Sequence, residues 1–161
     1  MAYIEVTTTG PIEWAKVFEG NRDMTGYDGN FVECDGAYTV QQKLTKDDFA
    51  KLQGAGSTKK PAAKHLMDGE IIVKFVRKHK VTKKDGTIVA AASGAPKVFD
   101  KDGNVWKMED GLIGNGSIAE VKNLVSTFKT ADGKPAARTS LMEIKILEHV
   151  PVEEKEEENS W

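Results

Sequence analysis

At 161 residues, with 39% hydrophobic and 30% charged side chains, the chain has the length and balance of one globular domain, which argues against wholesale disorder and a membrane span. Cys34 is the only cysteine, so an intramolecular disulfide and a thiolate cluster within one chain are excluded, and a reducing compartment is expected. The net charge of -2 conceals an acidic end: Glu153 to Trp161 hold five glutamates against one lysine, leaving 22 basic and 20 acidic residues in a mildly basic body.

The opening MAYIEVTTTG has no basic region followed by an apolar stretch, so no export signal is expected. Ile12, Trp14, Lys16 and Phe18 alternate as one face of a strand, with Glu13, Ala15, Val17 and Glu19 on the other. Tyr38, Val40, Gln42 and Leu44 form a second stripe. Thr45 is a good N-cap for a helix of about two turns: Asp48 is placed to reach back as a capping-box acid, Phe49 and Leu52 share one face, and Gly54 stops it. GAGSTKKPAAKH then reads as a mobile loop. Glu70 to Val81 is a longer strand turning at Lys84-Asp85-Gly86 onto Thr87 to Ala92. Further strands are expected at Lys97 to Asp100, Val105 to Lys107, Ser117 to Lys129 and Ala137 to Val150. Seven Asp-Gly steps, from Asp28, Asp35, Asp68, Asp85, Asp102, Asp110 and Asp132, supply the tight turns between them. Five or six strands with one short helix fit a small β barrel, the five-stranded Greek-key OB-fold among several candidates.

Metal or nucleophilic chemistry finds little support. His65, His79 and His149 lack ligand spacing, and DKDGN from Asp100 places its glycine too early for a calcium loop. GNGS, Gly114 to Ser117, lacks the P-loop lysine and following helix, so its glycines are read as a bulge or a close backbone approach. No cofactor, metal or catalytic residue is expected, and the chain is read as a non-enzyme.

Basic residues interleaved with aromatics are the stronger signal, because lysine and arginine neutralise phosphates while flat rings stack on unpaired bases. Lys74, Phe75, Arg77, Lys78 and Lys80 lie on one proposed hairpin; Lys97 and Phe99 precede Trp106 and Lys107; Lys122, Phe128 and Lys129 lie on the strand after GNGS; Trp14 and Lys16 belong to the first stripe. Phe75 serves as core more often than as platform, whereas Phe128 stands evenly between the two, since Val121 and Val125 could form the core side of its strand.

The run VFDKDGNVWKMEDGLIGNGS, the strand through Phe128-Lys129, then SLMEIKILEHV and the acidic tail resemble the single-stranded DNA-binding proteins of tailed bacteriophages, the gene-2.5 type of the T-odd coliphages. The resemblance implies an OB-fold spanning 1–150 with a disordered acidic tail at 151–161. It also implies sequence-tolerant binding of single-stranded DNA in phage replication, recombination and repair, in the cytoplasm of the infected host. Phe128 falls where the family has a base-stacking tyrosine, and Lys122 where it has a phosphate-contacting lysine. The tail residues Glu153, Glu154, Glu156, Glu157, Glu158 and Trp161 are expected to recruit replication proteins (polymerase, helicase or primase) and to compete with DNA for the basic groove. The family allows a homodimer, which a shortened tail puts in question. The rival readings are a protein-interaction adaptor acting through the tail alone and, more weakly, a nuclease.

Overall fold

A computed structural model describes residues 2–25, 29, 31–32, 36–61, 69–82, 85–89 and 93–151. The acidic tail from 152, Cys34 and His65 lie outside the described residues, as do Lys83, Lys84 and Ala90 to Ala92 of the expected hairpin. The elements in chain order are β1 (Ala2–Lys16), β2 (Ala37–Leu44), α1 (Lys46–Gly54), β3 (Ile71–Lys78), β4 (Lys97–Phe99), β5 (Ser117–Lys129) and β6 (Pro135–Glu148). They form one sheet in the order β3-β2-β1-β5-β6-β4. Every ladder is antiparallel except the short one between β4 and β6. β3 also packs against β6, which curls the sheet into a barrel. The expectation of a mainly β barrel of OB type with one short helix is met, with β4 as a sixth, short strand.

The stripe on β2 lies where its period places it: Tyr38, Val40, Gln42 and Leu44 all face inward and are buried. β5 reads equally plainly, with Ser117, Ala119, Val121, Asn123 and Val125 inside and Ile118 to Phe128 at even positions on the outer face. The core joins these residues to Val6, Ile12, Val73, Phe75, Leu141, Ile144 and Leu52 of α1. All seven glycines of the Asp-Gly steps have positive φ, among them Gly133 in the β5–β6 hairpin.

Four expectations change. β1 begins at Ala2, ten residues before the first expected stripe, because the buried side of its first half is Val6 and a polar Thr8, which hides the alternation. A bulge between Glu13 and Lys16 then breaks the predicted period: Trp14 is exposed, at 60%, while Val17 and Phe18 are both buried. In α1 the Thr45 hydroxyl accepts from the Asp48 N–H at 3.1 Å as expected, but Asp48 accepts from the Thr9 N–H of β1 at 2.9 Å, so it ties the helix to the sheet. Val105 makes only a bridge to Phe99, and of the strand expected from Thr87 the described residues show only the bridge of Ile88 to Thr82.

The core holds two buried amides with different fates. Gln42 Nε2 donates to the carbonyls of Ala119 at 3.0 Å and of Thr8 and Gly10 at 3.3 Å, and its Oε1 accepts from the Thr8 hydroxyl. Asn123 is fully buried at a register shift between β5 and β6, and among the described residues neither of its amide atoms has a hydrogen-bond partner. A buried polar group left unsatisfied costs about 1–3 kcal/mol. Asn123→Leu is therefore expected to raise the melting temperature, by about 2–4 °C for each kcal/mol recovered. Thermal denaturation that shows a lower Tm would mean the amide is satisfied after all.

Candidate nucleic-acid interface

β5 and β6 pair so that their outward side chains form rows across the sheet. Phe128 stands opposite Ala136, Ser126 opposite Arg138, Lys122 opposite Glu143 and Glu120 opposite Lys145. β4 extends two of these rows, with Lys97 beside Glu143 and Phe99 beside Lys145. Lys122 and Phe128 therefore do share one outer face, six residues and about 20 Å apart along the strand. At one end of this face Phe128 is half-buried, with the Arg138 guanidinium 5.6 Å from its ring centroid. Lys129 is exposed beside it.

A second set of cations lies across the barrel seam. After α1 the chain runs along β6, where Ser57 Oγ meets Thr139 Oγ1 at 2.6 Å, on the side of the strand opposite Arg138. Two residues later Lys59 lies close enough to Lys74 of β3 to feel its charge. Burial first, and then Lys74, pull the Lys59 ammonium below its ordinary pKa. Lys74 is exposed on the outer side of β3. Arg138 on the Phe128 ring, with Lys129 next in the chain, thus forms a basic-aromatic group on the outer face, and Lys59 with Lys74 forms a second basic pair reached from the segment that crosses β6 at Thr139. Such groups suit an unpaired base flanked by phosphates.

The remaining candidates separate. Phe75 faces inward and has no exposed surface, so no base can reach it. Arg77 is 8% exposed and also faces inward. Its Nε donates to the Gly94 carbonyl at 2.8 Å, Nη2 to Ser93 at 2.9 Å and Nη1 to Leu141 of β6 at 3.5 Å, while burial lowers its pKa. Arg77 closes the barrel seam and is withdrawn as a phosphate contact. Trp106 is half-buried, donating from Nε1 to the Gly111 carbonyl at 2.9 Å with the His149 ring 4.6 Å away, and is likewise committed to packing. Lys122 is engaged by Glu143 at 3.6 Å, each about one-third exposed.

Lys78 and Lys80 are exposed at and beyond the end of β3, and Lys16 is exposed at the end of β1. In the register Lys16 lies beside Thr39 and Lys78 beside Ala37, so these lysines edge the outer face of β1, β2 and β3. Trp14 projects near them from the bulge with φ of 52°, in the left-handed region that costs a bulky residue energy. Its N–H donates to Asn115 Oδ1 of GNGS at 2.8 Å, which fixes the bulge. The rest of that motif is structural too. A side chain at Gly114 would come within 2.6 Å of the Val150 carbonyl, and Ser117 Oγ donates to Gly114 while accepting from the Val150 N–H. The close backbone approach read from the two glycines is present at Gly114, whereas Gly116 has open space and a positive φ. The tail candidates Glu153, Glu154, Glu156, Glu157, Glu158 and Trp161 lie outside the described residues.

Arg138 carries no local signal: it matters only because β6 brings it to Phe128. Among the described residues, no group of three or more histidine, cysteine or acidic side chains could hold a metal ion, and no helix is long and apolar enough to cross a membrane.

Two solved structures share this architecture. The chain superposes on gp2.5, a single-stranded DNA-binding protein encoded by bacteriophage T7, with a TM-score of 0.56 at 16% identity, covering 99% of this chain and 96% of that one. It also superposes on a C-terminally truncated single-stranded DNA-binding protein from bacteriophage Enc34, with a TM-score of 0.53 at 11% identity, covering 93% and 88%. No protein-family model and no curated protein sequence matches. The chain has the fold of these phage proteins over nearly its whole length.

Proposed function

We propose that this chain binds single-stranded DNA with little sequence preference through the outer face of β5 and β6. On this reading Phe128 stacks on a base, while Arg138, Lys129, Lys74 and Lys59 neutralise the flanking phosphates. The observation that carries it is the half-exposed Phe128 ring on the outer face of β5 with the Arg138 guanidinium 5.6 Å from its centroid and exposed Lys129 next in the chain. The two fold relatives are named for the same activity. Toward the β4 end, Lys145, Lys97 and Phe99 continue the path. Trp14 with Lys16 offers a second ring and cation at the mouth of the bulge. The biological setting is phage DNA replication, recombination and repair in the host cytoplasm. There the five tail glutamates compete with DNA for exposed lysines and, once displaced, engage replication proteins such as a polymerase, helicase or primase.

Trp14 is a natural reporter, being the exposed indole among the described residues. Titration with oligo-dT should quench tryptophan emission, and duplex DNA should do so far less. A response to neither would favour an adaptor acting through the tail, and cleavage of the strand would favour a nuclease. The salt dependence tests the cations: neutralising about four phosphates of a single strand gives a log-log slope near -3.

Glu143 sets a further prediction. It holds Lys122 back from solvent at 3.6 Å, and only about one-third of either side chain is exposed. Glu143→Gln should release Lys122 to a phosphate, strengthening oligo-dT binding at low salt and steepening the slope by about 0.7. An unchanged slope would remove Lys122 from the DNA path.

A further inference from the structure

An apolar recess opens at the opposite end of β5 from Phe128. Its volume is about 750 Å³, and Val17, Phe18, Pro96 and Val98 form its buried floor. Val105, at 65% exposure, and Met108, at 43%, stand along its side with Phe99 and Trp106; Met108 lies over Gly20. Lys97 and Lys107 border it. An opening of this size lined by apolar groups lies within the range of ligand sites, and exposed large apolar side chains gathered in one place call for a partner.

The chain itself supplies a matching segment. Pro151, the last described residue, bridges to Ile113, and the Val150 carbonyl accepts from the Gly114 N–H at 2.7 Å. Two residues before Pro151, the His149 ring packs on Trp106, which lines the recess. The tail therefore departs beside the recess. Ten residues, 152 to 161, follow Pro151, and ten residues can span at most about 33–36 Å. They contain one aromatic side chain, Trp161, behind five glutamates and one lysine. The recess offers the complement, an apolar floor with cations on its border.

We infer that Trp161 docks in this recess of its own chain, with the tail glutamates lying against Lys97 and Lys107. The inference rests on the reading of the tail as a ligand of its own body, and it names the seat of the aromatic group: the recess, and not the stacking position at Phe128. Lys97 gives the docked tail a link to DNA. It borders the recess and also stands in the Lys122–Glu143 row of the outer face. A strand extending from Phe128 to β4 meets the tail carboxylates at Lys97, and the two compete there while Phe128 remains open to a base.

The full-length protein can be tested with a glutamate-specific protease, following release of tail fragments by mass spectrometry. Cleavage of a reversibly docked tail tracks the fraction undocked. Val105→Gln with Met108→Gln alters two exposed side chains, leaves the buried floor intact and adds no cleavage site. That variant and Trp161→Ala should each speed tail cleavage about tenfold, as expected for loss of most of one buried aromatic contact. Combining them should add nothing, and Phe128→Ala should leave the rate unchanged. Equal rates in wild type and recess variant would overturn the inference. So would faster cleavage in Phe128→Ala alone, which would seat Trp161 at the stacking position, or protection that grows with protein concentration, which would assign the recess to a second copy's tail. Oligo-dT binding is measured separately. Its absence alongside recess-dependent protection would refute the DNA reading and leave the docking standing.

Discussion

Arg77→Met is expected to lower stability by about 2–4 kcal/mol while leaving the DNA affinity of the folded protein within about twofold of wild type. The guanidinium spans the seam that no backbone ladder closes among the described residues, donating to Ser93, Gly94 and Leu141 from the inner side of β3. Methionine keeps most of the stem's packing but strands three carbonyls, each costing on the order of 1–3 kcal/mol when buried without a donor. Part of that loss is offset because a charge no longer has to be desolvated, which sets the net below the sum. Chemical denaturation measures the first quantity, and oligo-dT titration well below the variant's melting temperature measures the second. A surface phosphate contact would behave in the opposite way, with stability unchanged and the salt slope shallower by about 0.7. Lys74, three residues earlier and on the outer side, is the internal control.

The contrast between Arg77 and Lys74 shows where the sequence could be read and where it could not. The run IIVKFVRK announces a strand, but a slip of one residue exchanges its faces. Arginine and phenylalanine at alternate positions look like a binding face when they are the lining of the barrel. Positions 38 to 44 left no such choice, because four inward residues in register outweigh any single substitution. The Thr45 cap and the turn glycines are local devices, encoded within a few residues, and the structure follows them. Nothing local encodes the bulge at Trp14, which depends on Asn115, a hundred and one residues away. The same holds for the site. Lys122 and Phe128 are visible as one face of one strand, yet the glutamate that restrains Lys122 and the guanidinium that rests on Phe128 both come from β6. Convergence is a property of the closed barrel, and pattern along the chain cannot contain it.

Phe128→Ala should weaken oligo-dT binding by roughly tenfold to a hundredfold, the equivalent of one lost base stack at about 1–3 kcal/mol. The salt slope should hold, since no charge is removed. Phe128 lies on the outer, even-numbered face of β5, whereas Val121 and Val125 fill the core from the other side. Its removal should therefore cost well under the roughly 3–5 kcal/mol of a core phenylalanine. Arg138 complicates the alanine variant, because its guanidinium rests 5.6 Å from the ring centroid and loses that support when the ring goes. Phe128→Leu and Phe128→Tyr separate the two effects. Leucine retains apolar bulk without a flat face, and tyrosine restores the face. Affinity that recovers with tyrosine but not with leucine identifies stacking as the source. Recovery with leucine would mean that Phe128 serves mainly to position Arg138, and a core-sized fall in stability would return the ring to the interior.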